Sequence, residues 1–96
     1  VITSGFNVYS LEVTNVLNSL PGIRDSAIIG EPDLMRGAII KAFVVSDGAE
    51  LTEDDVKKFA RRQLATFKTP RKVVFVPKIP RDGKGRVLFD LLREAP

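Results

Sequence analysis

Ala38-Ile39-Ile40-Lys41-Ala42-Phe43-Val44-Val45 is the strongest strand signal in the chain, and its reading decides the fold class. β-Branched and aromatic side chains suit a pleated surface, and Ser46-Asp47-Gly48 breaks the run. Upstream, Ile23 to Gly30 alternates imperfectly around Ala27, Ile28 and Ile29, and Glu31-Pro32-Asp33 punctuates it as a turn. The two runs are therefore expected to pair as a hairpin across a loop at 31–37.

On the other side, Thr52-Glu53-Asp54-Asp55 is a near capping box with an acidic first turn. It opens a helix to about Ala65, with Val56, Phe59, Ala60 and Leu64 as the buried stripe beneath Lys57, Lys58, Arg61 and Arg62. Pro70 ends any helix there, because it disfavours the α conformation at Thr69. Lys72 to Val76 then reads as a third strand stopped by Pro77, the polar loop Ile79–Arg86 follows, and Val87–Arg93 reads as a short helix. At the start, Val1–Thr3 reads as a short strand entering a glycine loop at Ser4-Gly5. Ser10 then stands as N-cap of a helix carrying Leu11, Val13, Val16, Leu17 and Leu20 until Pro21-Gly22. The order β, α, β, β, α, β, α predicts an α+β fold, a small mixed three-stranded sheet flanked by helices.

Ninety-six residues make a single domain, 1–96, with one core and no room for a large enclosed cavity. Without cysteine or histidine, Ser/His/Asp, Cys/His and thiolate-metal chemistries are excluded. No apolar run reaches the length of a membrane span, and the N-terminus lacks the basic region of a secretion signal, so a cytoplasmic setting is expected. The valine at position 1 enters a strand-like start directly, as in a piece cut from a longer protein. The net charge of +3 hides an asymmetry: residues 1–55 carry three Lys/Arg against nine Asp/Glu, and residues 56–96 twelve against three. A basic half of +9 suits phosphate, nucleotide, nucleic acid or an acidic protein surface, or simply solvation.

Three segments are unlike core. Thr3–Tyr9 offers backbone amides around Gly5, or is only a tight connection turned by Asn7. Phe67-Lys68-Thr69-Pro70-Arg71-Lys72 sets an aromatic beside three cations, which suits a stacked adenine with its phosphates, or a core phenylalanine among solvated charges. Arg81-Asp82-Gly83-Lys84-Gly85-Arg86 is a basic glycine loop of the kind that approaches phosphoryl groups, without the spacing or hydroxyl of a Walker loop. Asp54 and Asp55 are explained by the helix dipole, leaving no carboxylate pair for acid/base work. From residues alone the chain is an anion-binding α+β module.

Ser4-Gly5-Phe6-Asn7-Val8-Tyr9 followed by Glu12-Val13 resembles the Ser-Gly-x-Asn-Val-Tyr-Pro-x-Glu-Val signature that opens the C-terminal domain of adenylate-forming enzymes. These are acyl-CoA synthetases, luciferases and peptide-synthetase adenylation domains. Gly30-Glu31-Pro32-Asp33 with Arg36-Gly37, then Lys41–Val45, resembles that domain's hairpin, and Glu50–Glu53 through Phe67–Arg71 and Val74–Val76 its next helix and strand. Ile79-Pro80-Arg81 with Gly85 and Val87-Leu88 resembles its terminal loop, Leu-Pro-Arg-Thr-x-x-Gly-Lys-Ile-x-Arg. The resemblance runs in order over essentially the whole chain.

It implies a mobile lid on an enzyme that activates a carboxylic acid with ATP, as acyl-AMP, and passes the acyl group to coenzyme A. The lid's own N-terminal partner domain would precede Val1. ATP, CoA and Mg2+ would serve the full-length enzyme, and the fragment alone would bind none of them and be inactive. The Ser4-Gly5-Phe6 backbone would border the pantetheine tunnel, while Phe67 and Arg71 match positions that hold the CoA nucleotide. The family's adenylation lysine falls on Arg86, with Lys84 two residues earlier, so either weakened adenylation or a shifted Lys84 is expected. Two alternatives are a peptide-synthetase subdomain delivering to carrier-protein phosphopantetheine, and a basic nucleic-acid-binding module. The latter is disfavoured by the absence of a recognised binding motif.

Overall fold

The computed structural model describes residues 3–48 and 50–94, with the backbone alone for 3–9. Its elements are α1 (Thr3–Asn18), β1 (Ile23–Asp33), β2 (Gly37–Ser46), α2 (Glu53–Gln63), a single 3₁₀ turn (Thr66–Lys68), β3 (Lys72–Phe75) and α3 (Phe89–Arg93). The sheet order is β1-β2-β3, with β1 and β2 antiparallel and β2 and β3 parallel, so the predicted mixed α+β sheet is present.

Strand β2 lies in the middle, which explains its unbroken apolar sequence: both its faces need covering. Ile40, Ala42 and Val44 face α1 and α2, joining Val13, Leu17, Ile28, Val56, Ala60, Leu64 and Val73 in one cluster. Phe43 and Val45 face the opposite way, with Ala27, Ile29, Val76, Ile79 and Leu92. The sheet is thus clasped between two helices and the C-terminal segment. Ser26 and Thr69 are buried polar residues, and the Ser26 hydroxyl donates to Asn18 Oδ1 at 2.7 Å, tying β1 to α1.

Helix α2 begins as its sequence requires. The Asp55 N–H donates to Thr52 Oγ1 at 3.1 Å, and the Thr52 N–H donates to Asp55 Oδ2 at 3.0 Å. Thr52→Ala is expected to cost about 1 kcal/mol. That corresponds to a fall in melting temperature of about 4–8 °C, and an unchanged melt would show that the cap adds nothing.

Three boundaries differ from the sequence reading. Thr3–Tyr9 belongs to α1 and is not a glycine loop, and Ser10 lies inside the helix, its carbonyl accepting from Thr14 Oγ1 at 3.2 Å. Val1 and Ile2 of the expected strand lie outside the described residues. Helix extends toward the N-terminus because each added residue gains one backbone bond on an existing helix, whereas no further strand adjoins this segment among the described residues. The hairpin turn sits at Leu34–Arg36, not at Glu31-Pro32-Asp33, which pairs with Gly37–Ile39. Proline is tolerated there because β1 is an edge strand. Asp33 Oδ2 accepts from the N–H groups of Met35 and Arg36, and Gly37 takes φ +80°, a conformation costly for other residues. Finally, α3 starts at Phe89, because Val87 bridges back to Arg81.

Candidate functional site

The two predicted cationic segments emerge at opposite ends of β2. The Arg71 N–H donates to the Ile40 carbonyl, whereas the terminal loop is tied to Asp25, which lies opposite Val45. At ~3.4 Å per residue, the five steps between Ile40 and Val45 separate the two attachment points by roughly 17 Å.

At the first end the chain leaves α2 through the 3₁₀ turn. Thr69 Oγ1 donates to the Ala65 carbonyl at 3.1 Å, and Pro70 is buried. This brings Arg71 back beside α2, opening a cleft of about 200 Å³ lined by Lys57, Arg61, Leu64, Thr66, Thr69, Pro70 and Arg71. Leu64 and Pro70 give the lining apolar surface and Lys57, Arg61 and Arg71 give it cations, a combination that suits an anion carried on an apolar body. Lys57 Nζ donates to the Arg71 carbonyl at 3.2 Å and stands 3.7 Å from Glu53. Arg61 and Arg71 make no ion pair among the described residues, so both guanidinium groups are available to a phosphate. Phe67 is 69% exposed beside this cleft in sequence, with Lys68 Nζ 5.6 Å from its ring centre, so it is not a core residue. The sequence places Lys57 and Arg61 above the buried stripe of α2 without singling them out as site residues. Their i,i+4 spacing was the available signal, because it puts both on one stripe of α2.

At the second end the loop is closely hydrogen-bonded despite its glycines. The Asp82 N–H donates to the Arg86 carbonyl and the Gly85 N–H to the Asp82 carbonyl, with Gly85 at φ +84°. Asp82 Oδ1 accepts from the N–H groups of Lys84 and Arg86 at 2.8 and 3.0 Å, and its Oδ2 accepts from Arg86 Nε at 2.9 Å. The backbone bonds from Arg86 and then Lys84 hold the Asp82 carboxyl below the usual carboxylate range, with partial burial opposing them and the Arg86 side chain adding to them. Arg81 grips Asp25 through Nε and NH2 at 3.2 and 2.7 Å and donates from NH1 to the Gly85 carbonyl at 2.8 Å. The Lys84 side chain is exposed and makes no hydrogen bond or ion pair among the described residues.

Thr3–Asn18 being helical places the Ser4-Gly5-Phe6 backbone in the first turns of α1, and the side chains of these three residues lie outside the described set. Among the described residues, no three His, Cys, Asp or Glu side chains gather as a cation cage. Nor is any described helix long and apolar enough to cross a membrane.

The fold and these two ends define a small α+β domain that presents two separate groups of cationic side chains. The sequence matches the AMP-binding enzyme C-terminal domain over residues 12–86, and the chain belongs to that family. It is 48% identical over 94 residues to a 3-[(3aS,4S,7aS)-7a-methyl-1,5-dioxo-octahydro-1H-inden-4-yl]propanoyl:CoA ligase of Rhodococcus jostii, covering 97% of this chain and 18% of that protein. It is 39% identical to the long-chain-fatty-acid–CoA ligase FadD13 of Mycobacterium tuberculosis, over 98% of this chain and 19% of the relative. ATP-bound MatB from Rhodopseudomonas palustris superposes with a TM-score of 0.84 at 44% identity, over 98% of this chain and 19% of that one. The chain therefore spans under one fifth of the length of the proteins it matches.

Proposed function

We propose that this chain is the C-terminal domain of an ATP-dependent acid–thiol ligase. Its parent converts a small carboxylic acid and ATP to acyl-AMP and pyrophosphate, then transfers the acyl group to the thiol of CoA. The observation that carries this reading is the placement of two cationic sites at opposite ends of β2. One rigid domain with two such ends can serve two successive half-reactions by turning a different end toward a common centre. The loop with Arg86 and Lys84 serves adenylation, where negative charge gathers between the carboxylate and the α-phosphate. The cleft at Arg71 holds the nucleotide phosphates of CoA, with Arg61 and Lys57 as further cations and Phe67 offering a stacking face. The Ser4-Gly5-Phe6 backbone borders the path of the pantetheine arm. ATP, Mg2+ and the acid are held by a larger domain preceding this one, and the parent works in the cytoplasm. The CoA ligases among the relatives favour CoA over a carrier protein as acceptor.

Arg71→Ala in the full-length parent tests the assignment. Losing one charged phosphate contact costs about 1.5–3 kcal/mol, so KM for CoA should rise roughly 10- to 150-fold. Carboxylate-dependent ATP–pyrophosphate exchange should hardly change. Equal losses in both half-reactions, or a loss confined to exchange, would refute the placement.

A further inference from the structure

We propose that Asp82 is a positioning residue for Arg86, holding the guanidinium in one orientation for the adenylation step; this rests on the reading that the terminal loop supplies that step's cation. In the motif the loop resembles, threonine stands in place of Asp82 and lysine in place of Arg86, so two departures fall on residues that touch each other. The carboxylate is itself fixed. Its Oδ1 is occupied by the N–H groups of Lys84 and Arg86, which leaves Oδ2 aimed at Arg86 Nε, 2.9 Å away.

The point of contact matters. Asp82 takes the guanidinium by Nε, and the two terminal nitrogens have no partner among the described residues, with the side chain 73% exposed. Those two nitrogens form the edge that binds a carboxylate or phosphate in parallel.

The rest of the loop supports this arrangement. Asp25 on β1 holds Arg81, Arg81 NH1 holds the Gly85 carbonyl, and Gly85 precedes Arg86, so the backbone bearing the guanidinium is connected to the sheet. An exposed ion pair adds little to stability, so folding alone gives this pair small value.

A double-mutant cycle in the full-length parent separates positioning from loop support. Asp82→Asn keeps a carbonyl oxygen for the two backbone N–H groups but removes the charge that attracts Arg86. Alone, it should lower the rate of ATP–pyrophosphate exchange about fivefold, the size of one oriented but exposed charge contact. In the Arg86→Lys background it should change exchange less than about twofold, because the guanidinium it orients is gone. Thioester formation from supplied acyl-adenylate reports that the variants are folded. An equal loss in both backgrounds, no loss in either, or a gain in the single variant overturns the positioning role. Arg86→Ala distinguishes the two levels. If it abolishes exchange while the cycle is additive, the loop reading stands and the Asp82 proposal fails; if it leaves exchange intact, the loop reading fails and takes the proposal with it.

Discussion

Phe43→Ala is expected to remove a large fraction of the domain's stability. Phe43 is fully buried on the central strand, against Ala27, Ile29, Val45, Val76, Ile79 and Leu92, with Lys41 Nζ 5.0 Å from its ring centre. Truncating a buried phenylalanine removes its transfer free energy and leaves a cavity, a combined loss of about 3–5 kcal/mol. A domain of this size has a total stability of about 5–15 kcal/mol, and this core layer is thin. The residues that could collapse into the gap, Val76 and Ile79, belong to the segment that leads into the terminal loop, so relaxation would displace that loop. Equilibrium urea unfolding measures the effect, and Phe75→Ala, at a partly exposed position on β3, should cost much less. A Phe43→Ala midpoint equal to that of the starting protein would contradict the two-faced core.

The second large effect is expected for Arg86→Ala in the full-length parent. Removing one oriented donor from a site of developing negative charge costs on the order of 10² to 10³ in rate. Exchange of pyrophosphate into ATP should fall by about 10²-fold, and thioester formation from supplied acyl-adenylate should persist, because the Arg71 cleft lies at the other end of β2. Lys84→Ala serves as the comparison. Its side chain makes no hydrogen bond or ion pair among the described residues while its N–H is already held by Asp82, so on the proposed reading Arg86 carries the step and Lys84→Ala should be silent. Collapse of exchange in Lys84→Ala with a silent Arg86→Ala would instead support a shift of the loop that brings Lys84 into place.

The sequence by itself determined the elements whose signals are local. The apolar run at 38–45 is β2, the Thr52–Asp55 pattern caps α2, and Pro70 and Pro77 bracket β3. Each of these depends on neighbours a few residues away, where side-chain periodicity, capping and proline sterics act. It also marked out Phe67–Arg71 and the loop at 81–86, since cations beside an aromatic or between glycines have little place in a core. Only the tertiary structure decided the rest, because those features depend on residues distant in sequence. Pro32 could lie in a strand because β1 proved to be an edge, and Thr3–Tyr9 became helix, with no further strand among the described residues for it to pair with. Lys57 and Arg61 joined Arg71 because the turn after α2 folds the chain back against that helix. The separation of the two cationic ends follows from the parallel pairing of β3 with β2, which sends the chain from one end of the sheet to the other between Arg71 and Arg81. Charge counted along the chain placed all these cations in one basic half, and strand direction divided them between two ends of the sheet.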